Sequence, residues 1–481
     1  MAVAAMLVAV GLVAGLVSGA FGAVARDGLY ATGLWSRNGA STLPSDRSDR
    51  SDRPTPTPTP TSRQSTATPE PGTDLPGPVL AAAEAGRTPS AAKVTAKIRG
   101  VKVAGVGSSY TGAVLDVGSG KTLFAHNAED AYIPASTMKL LTSAAALSIL
   151  GPDRVFTTKV VSPKRGRVIL VGGGDPYLAT KTTASTFPKR SSVATLARNT
   201  ATALKKDKVT KVSLGYDDSL FSGPRWNPTW PDFYSDQVTP ISALWVDEGR
   251  VSGSPGARVK NPSKAAAEAY AAALRQQGIE VSGISVERAS NQATPVASVG
   301  SMPLERIVEQ LLMVSDNDAA EVVLRQAALG AGKKGTFTDG VSTVRARLTK
   351  LGVWDSSAKI YDGSGLSRKT HVPADTMVKL LRLASQDAHP ELRSVITGLP
   401  VAGVEGSLRT HYSDDESLAG RGLVRGKTGT LNKVHSLAGF VRTRDGSLLV
   451  YAFLVNNAKN DFNAKVWLDR TSAALSTCGC R

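Results

Sequence analysis

Cysteine is almost missing from this 481-residue chain: the only two, Cys478 and Cys480, stand at its far C-terminal end. That excludes a disulfide-rich scaffold and a cysteine-built zinc site. One residue separates them, which strains a mutual disulfide, so they read as part of a frayed tail. Histidine is scarce as well. His126, His371, His389, His411 and His435 are scattered, none three to five residues from another. No zinc-hydrolase signature of the H-E-x-x-H kind is present, and no metal is expected. Aromatic residues are only 5 %, and the 57 Lys and Arg against 40 Asp and Glu are spread along the chain rather than gathered in runs. Base-stacking proteins interleave aromatics with basic patches, so a nucleic-acid partner is not expected. A formal net charge of +17 instead draws an exported protein toward an anionic envelope. Hydrophobic residues, at 41 %, suffice to fill globular cores. At roughly 100–200 residues per domain, two or three domains are expected.

Residues 1–25 carry no charged side chain and consist mostly of Ala, Val, Leu, Gly and Met. The run is long enough to span a bilayer as one helix. It reads equally as a signal peptide, with Ala23-Val24-Ala25 as a small-x-small cleavage site. Either reading sends the remainder across the membrane, secreted or anchored to the outer face, with this segment the only membrane contact. Residues 26–78 follow as a disordered Pro/Thr/Ser-rich tether. They include SDRSDRSDR at 45–53 and PTPTPTPT at 54–61. The Pro-Thr run is an extended, polyproline-like spacer.

The folded part starts near Val79. Residues 80–85 are Ala-rich and read as helix. Strands at 111–117 and 121–125 flank a Gly118-Ser119-Gly120 turn, a hairpin pattern. Residues 135–150 lack Gly and Pro and are apolar on nearly every face, as in a helix buried within a domain. Gly151-Pro152 stops it. Gly172 to Pro176 reads as a tight turn. A helix at 265–277 ends at Gly278, and 304–329 forms two helices broken around Ser315-Asp316-Asn317. Strands are expected at 423–430, 436–443 and 447–455, with a closing helix at 466–475. This order implies a discontinuous α+β domain carrying an insertion.

Three short motifs carry chemistry. The first is Ser136-Thr137-Met138-Lys139, an S-x-x-K. The same spacing occurs at Ser90/Lys93 and Ser356/Lys359, but only Ser136 opens a long buried helix. Residues three apart on a helix share a face, so the Lys139 amine reaches the Ser136 hydroxyl. Burial and the positive end of the helix both disfavour an ammonium, which makes Lys139 a candidate general base for an otherwise poor nucleophile. The second is Ser315-Asp316-Asn317, an S-x-N whose helix-breaking position points Ser315 and Asn317 into a shared cleft; Asp316 is given a structural role. As an isolated motif it reads equally as a helix cap, and Ser36-Arg37-Asn38 has the same form. The third is Lys427-Thr428-Gly429-Thr430, the only K-T-G of the chain, on an expected strand. There Gly429 removes a side chain where another backbone or a substrate comes close. A Walker A phosphate loop is excluded, because its first glycine would fall on Arg421.

The three motifs in this order are the set shared by penicillin-binding proteins and class A β-lactamases. From about Val79 onward the chain resembles the D-alanyl-D-alanine carboxypeptidase/endopeptidase family, the low-molecular-mass class C penicillin-binding proteins. Stretches 172–178 (GGGDPYL), 217–224 (DDSLFSGP), 362–368 (DGSGLSR) and 399–408 (LPVAGVEGSL) fit that family's recurrent patterns. The resemblance implies a serine β-lactamase/DD-peptidase-like α+β fold, with helices packed on an antiparallel sheet. The peptidase domain would comprise 79–155 and 289–481, interrupted by an inserted second domain at 156–288. Ser136 and Ser315 are 179 positions apart, room for one inserted domain rather than two.

The resemblance also implies acyl transfer without metal or cofactor. Ser136 attacks a D-Ala-D-Ala carbonyl in a peptidoglycan stem peptide, and Lys139 is the base. Ser315 relays a proton to the leaving amine, tuned by Lys427. Asn317 holds Lys139 and the substrate amide. Lys427, Thr428 and Thr430 bind the terminal carboxylate beside Gly429, and the N–H groups of Ser136 and Thr430 form the oxyanion hole. Asp362 and Arg368 read equally as a border of the cleft or as a Gly-rich turn. β-Lactams should acylate Ser136. No E-x-x-L-N element of the kind that deacylates class A β-lactamases occurs between Asn317 and Lys427, so a long-lived adduct is expected. The alternatives are a catalytically weak, β-lactam-binding wall protein or a penicillin sensor. Carboxypeptidase and endopeptidase action are not distinguished by these residues.

Overall fold

A computed structural model describes residues 88–479 apart from 108, 183–187 and 255. The apolar run, the tether, the helix expected at 80–85 and Cys480 lie outside the described residues. Helix α1 (Ala91–Gly100) precedes the hairpin of β1 (Tyr110–Asp116) and β2 (Thr122–His126). In its turn Asp116 accepts from the Ser119 N–H at 2.8 Å, and Gly120 takes a φ of +73°. β3 (Ala131–Tyr132) leads through a 3-10 turn, Ala135–Thr137, into α2 (Met138–Leu150). The middle of the chain holds β4 (Thr157–Lys164), β5 (Arg167–Val171), α3 (Val193–Lys206), β6 (Lys211–Asp217), α4 (Pro262–Gln276), β7 (Glu280–Val286) and β8 (Thr294–Gly300). Then come α5 (Leu304–Val314), α6 (Asn317–Gly330), α7 (Phe337–Lys350), β9 (Val372–Pro373), α8 (Ala374–Ala384) and α9 (Arg393–Thr397). The last elements are β10 (Val424–Leu431), β11 (Val434–Arg442), β12 (Leu448–Asn456) and α10 (Asp461–Ser476).

The principal sheet has the order β10-β11-β12-β1-β2, antiparallel throughout. Its central strands are buried on both sides; β12 reads as a nearly continuous apolar run, while β11 also buries His435 and Ser436. Period-two alternation divides β12 between two cores. Val450, Ala452 and Leu454 enter the core that also holds α2 and α8. Leu449, Tyr451, Phe453 and Val455 enter the core beneath α1 and α10. Helix α2 is buried at every position from Met138 to Leu147, which accounts for its lack of a polar face.

The middle segment builds a second sheet, β7-β6-β5-β4-β8. β4 is antiparallel to both its neighbours, while β5, β6 and β7 run parallel, joined by crossovers through α3 and α4. This sheet has its own core around Leu170, Leu196, Leu214 and Tyr270. It extends past the expected boundary at Arg288, because β8 returns along β4 as far as Gly300. Entry and exit lie side by side, with the Ser301 N–H donating to the Phe156 carbonyl at 2.9 Å. The segment is not self-contained, however. Tyr177, Trp230, Val238, Ile241 and Trp245 belong to the core of the principal sheet.

Helix starts follow capping chemistry. Ser192, Asn261, Asp316, Thr336 and Asn460 each accept an N–H in the first turn of α3, α4, α6, α7 and α10. α10 therefore begins at Asp461, ahead of the expected 466. Cys478 departs from the expected frayed tail: it is fully buried in the α1/α10 core and disulfide-bonded.

Candidate active site

Ser136 does not sit inside α2 but in the 3-10 turn before it. The turn is forced: Ala135 takes a left-handed φ of +47°, and Pro134 accepts the Thr137 hydroxyl at 2.7 Å and the Ser436 hydroxyl at 2.6 Å. A Cβ on Gly365 would lie 1.9 Å from the Ala135 carbonyl oxygen, so only glycine lets that loop close over the turn. The helical reach expected for S-x-x-K survives this change. Lys139 Nζ donates to Ser136 Oγ at 2.8 Å. Its other two hydrogen bonds go to Asn317 Oδ1 at 2.7 Å and the Ser364 carbonyl at 2.9 Å. Ser136 is half-buried; Lys139 is fully buried.

The S-x-N motif forms the corner between α5 and α6. Ser315 ends α5 with φ 60° and ψ 41°, and Asp316 caps α6 by accepting the Ala319 N–H at 3.0 Å. The cap expected as an alternative and the cleft expected for chemistry are thus the same feature. The corner turns Asn317 to Lys139 and Ser315 to Lys427, whose Nζ donates to Ser315 Oγ and to the Thr428 carbonyl, each at 2.8 Å.

β10 is an edge strand. The Gly426 N–H donates outward to the Pro400 carbonyl, away from β11. Antiparallel strands alternate the direction of their N–H groups, so those of Thr428 and Thr430 also face the open edge. On one face of the same strand Lys427 reaches Ser315, and a Cβ on Gly429 would meet Pro134 O at 2.6 Å and Ser136 N at 3.0 Å. The strand edge and the nucleophile turn are therefore in contact only because Gly429 has no side chain. Thr428 bonds Ser407 hydroxyl to hydroxyl at 2.8 Å, and Thr430 is exposed. All eight residues singled out from the sequence gather here.

Burial governs the electrostatics. It pulls the Lys139 ammonium down from 10.5 to about 8, against the opposing pull of Asp316, Glu321, Asp362 and Asp318. Lys427 is lowered well below its ordinary value, first by burial and then by the charge of Lys139. A neutral Lys139 beside a serine hydroxyl is a base; the Ser136 N–H, packed against the strand at Gly429, and the outward Thr430 N–H can receive a developing oxyanion.

Glu321 and Gln237 escaped the sequence reading, whereas Asp362 was expected at the cleft border or in a turn. Glu321, buried on α6, accepts the N–H groups of Gly363 and Ser364 at 2.9 and 2.6 Å, and so sets the carbonyl that grips Lys139. Asp362, also buried, accepts from Trp230 Nε1 at 2.9 Å and Ser367 N at 2.6 Å. The 362–368 stretch is thus a Gly-rich turn that also touches the site, with Arg368 donating to the Asn432 carbonyl at 3.0 Å. The Gln237 carbonyl accepts from Asn317 Nδ2 at 3.1 Å. Among the described residues, Glu248, Asp316 and Asp318 have carboxylate oxygens within 4.8 Å of one another, but Arg250 and Arg258 supply countercharge there.

The D-alanyl-D-alanine carboxypeptidase of an Actinomadura species is 28 % identical over 432 residues, covering 72 % of this chain and 77 % of its own length. Carboxypeptidase DacB of Mycolicibacterium smegmatis is 33 % identical over 380 residues, covering 77 % of this chain and 81 % of its own. Penicillin binding protein 4 (dacB) of Haemophilus influenzae has the same fold, with a TM-score of 0.66 at 22 % identity over 78 % of this chain and 97 % of its own. That protein has also been solved in complex with a novel β-lactam. The family profile described as D-Ala-D-Ala carboxypeptidase 3 (S13) matches residues 102–257 and 252–475, and with it the chain belongs to that family.

Proposed function

We propose that this chain is an extracytoplasmic serine-type DD-carboxypeptidase/endopeptidase that cleaves after D-Ala in peptidoglycan stem peptides and is acylated by β-lactams. The observation that carries the reading is the Ser136–Lys139–Asn317 chain of hydrogen bonds, closed on the other side of the cleft by Lys427 and Ser315. In the forward step neutral Lys139 takes the Ser136 proton as Oγ attacks the D-Ala carbonyl. The Ser136 and Thr430 N–H groups receive the oxyanion. The tetrahedral intermediate collapses as Ser315, bonded to Lys427, relays the proton taken up by Lys139 to the departing D-Ala amine, leaving Lys139 neutral. Water then attacks the ester, gives its proton to Lys139, and the lysine returns it to Ser136 Oγ as the acid leaves. Lys427, Thr428 and Thr430 bind the terminal carboxylate at the strand edge, while Asn317 orients Lys139. The name of the Actinomadura relative supports the substrate class.

Among the described residues no helix is long and apolar enough to cross a membrane. We assign the export signal or membrane anchor to residues 1–25 on their uncharged, apolar composition.

The test is acylation by a fluorescent penicillin, wild type beside Ser136→Ala, with the label located by peptide mass spectrometry. A stable adduct on Ser136, absent from the variant, is the expected result. Absence of label from folded wild-type protein overturns the reading and favours a wall-binding protein. Release of D-Ala from a pentapeptide, compared with cleavage of a cross-linked dimer, separates carboxypeptidase from endopeptidase action.

A further inference from the structure

The Asn317 side chain has two different ends, and the cleft needs its oxygen toward Lys139. A backbone carbonyl can only accept, so Gln237 O requires the Nδ2 end and leaves Oδ1 for the lysine. Gln237 belongs to the loop between β6 and α4, far from both motifs in sequence. That loop is fixed one residue further along α6: Asp318 Oδ1 accepts the Thr239 N–H at 2.7 Å. Thr239 in turn donates its hydroxyl to the Glu248 carbonyl at 2.6 Å.

Asp318 is completely buried, and its second oxygen, Oδ2, makes no hydrogen bond. That oxygen faces Arg250 Nη2 at 3.6 Å and Arg258 Nη2 at 3.7 Å, which offset the neighbouring carboxylates of Glu248 and Asp316. The Arg258 side chain is 6 % exposed, so this charge pair is shielded from solvent. Both arginines lie on a short hairpin closed by the backbone bridge between residues 250 and 258. The hairpin is entered through two non-glycine residues in left-handed conformation, Asp247 (φ 49°) and Glu248 (φ 57°). Such backbone persists only where its surroundings hold it. Here the Glu248 carboxylate takes the Arg250 Nε, and the Asp247 N–H donates to the Leu178 carbonyl at 2.9 Å.

We propose that Arg258 and Arg250 are positioning residues for acylation: they hold the buried Asp318 charge, and through it the Thr239–Gln237 strap that orients the Asn317 amide toward Lys139. Neither arginine is placed against substrate. The inserted segment thereby completes the cleft rather than merely decorating it. The proposal rests on the reading of Ser136 and Lys139 given above.

The test uses the full chain and measures the acylation rate constant and the apparent penicillin affinity separately, per folded molecule. Arg258→Met is expected to slow acylation by about 10- to 100-fold with little change in affinity, since a small misplacement of a catalytic group acts on the rate. Arg258→Lys recovers part of the rate. Asp318→Asn keeps an acceptor for Thr239 N and removes the unpaired charge, so Arg258→Met/Asp318→Asn is faster than Arg258→Met alone. Should Arg258→Met fail to fold, Arg250→Met decides; its side chain is 48 % exposed and it is expected to show the same loss at smaller size. Rates within about two-fold of wild type for the folded arginine variants, or no recovery in the double variant, overturn the inference. If wild-type protein is not labelled on Ser136 at all, the functional reading has failed instead.

Discussion

Lys139 can accept the Ser136 proton only as a free amine, and its burial decides at what pH that form predominates. With its pKa lowered to about 8, the lysine is mostly protonated below that pH and mostly neutral above it. The acylation rate of wild-type protein should therefore climb with pH and level off above about 8. A rate that is flat across that range would remove Lys139 from the role of base. Lys139→Ala should lower acylation by about 10²–10⁴-fold, the usual share of a general base, while the chain stays folded. Glu321 offers a second titration. Burial, together with the neighbouring Asp362 charge, pushes its carboxyl up from 4.5 to about 8. Between those values the folded chain keeps a proton that the unfolded chain has released, so stability falls as pH rises across that window. Glu321→Gln removes this contribution and should flatten the decline in chemical denaturation, retaining one oxygen for the Gly363 and Ser364 N–H groups. Glu321→Ala strands both donors and should cost about 2–5 kcal/mol.

At the scale of elements, the site is a contact between an edge strand and a strained turn. β10 can approach Ser136 because position 429 has no Cβ. Gly429→Ala would put a methyl against Pro134 O and Ser136 N and push strand and nucleophile apart. Its expected effect is a loss of acylation of about 10- to 100-fold with modest change in melting temperature, read by labelling and by thermal denaturation. An unchanged rate would mean that the strand edge takes no part in binding the reacting carbonyl. The elements that carry the motifs were legible in the sequence to within a few residues, because each advertises itself locally. α2 is apolar on nearly every face, β12 is a nearly continuous apolar run, and the break at Ser315-Asp316-Asn317 interrupts two amphipathic helices. The 3-10 turn at Ala135–Thr137 was not legible. It depends on Gly365 and Ser436, which reach it only in the folded chain.

At the scale of the whole molecule, the inserted segment and the peptidase core are built into one another. Phe156 and Ser301 are adjacent, so 157–300 could be replaced by a short linker without stretching the chain. Even so, that excision should abolish acylation and native packing. It removes Trp230, Val238, Ile241 and Trp245 from the principal core and Gln237 from Asn317. Near-ultraviolet circular dichroism and penicillin labelling of the excised chain check this; a folded, acylated product would show that the segment is dispensable.

The proposed chemistry is written in three local signals of the chain: a serine three residues before a lysine at the head of a buried helix, an S-x-N at a helix break, and a K-T-G on a strand. Those signals are local, set by helical and strand periodicity and by the absence of a side chain at Gly429. How those groups are held emerges only when distant parts of the chain fold together. The partners that orient Lys139 and Asn317 include the carbonyls of Ser364 and Gln237, and a backbone carbonyl looks the same at every residue, so no sequence pattern marks it. The countercharge for Asp318 comes from arginines some sixty residues away in the chain, brought there by a left-handed backbone turn that burial and packing sustain.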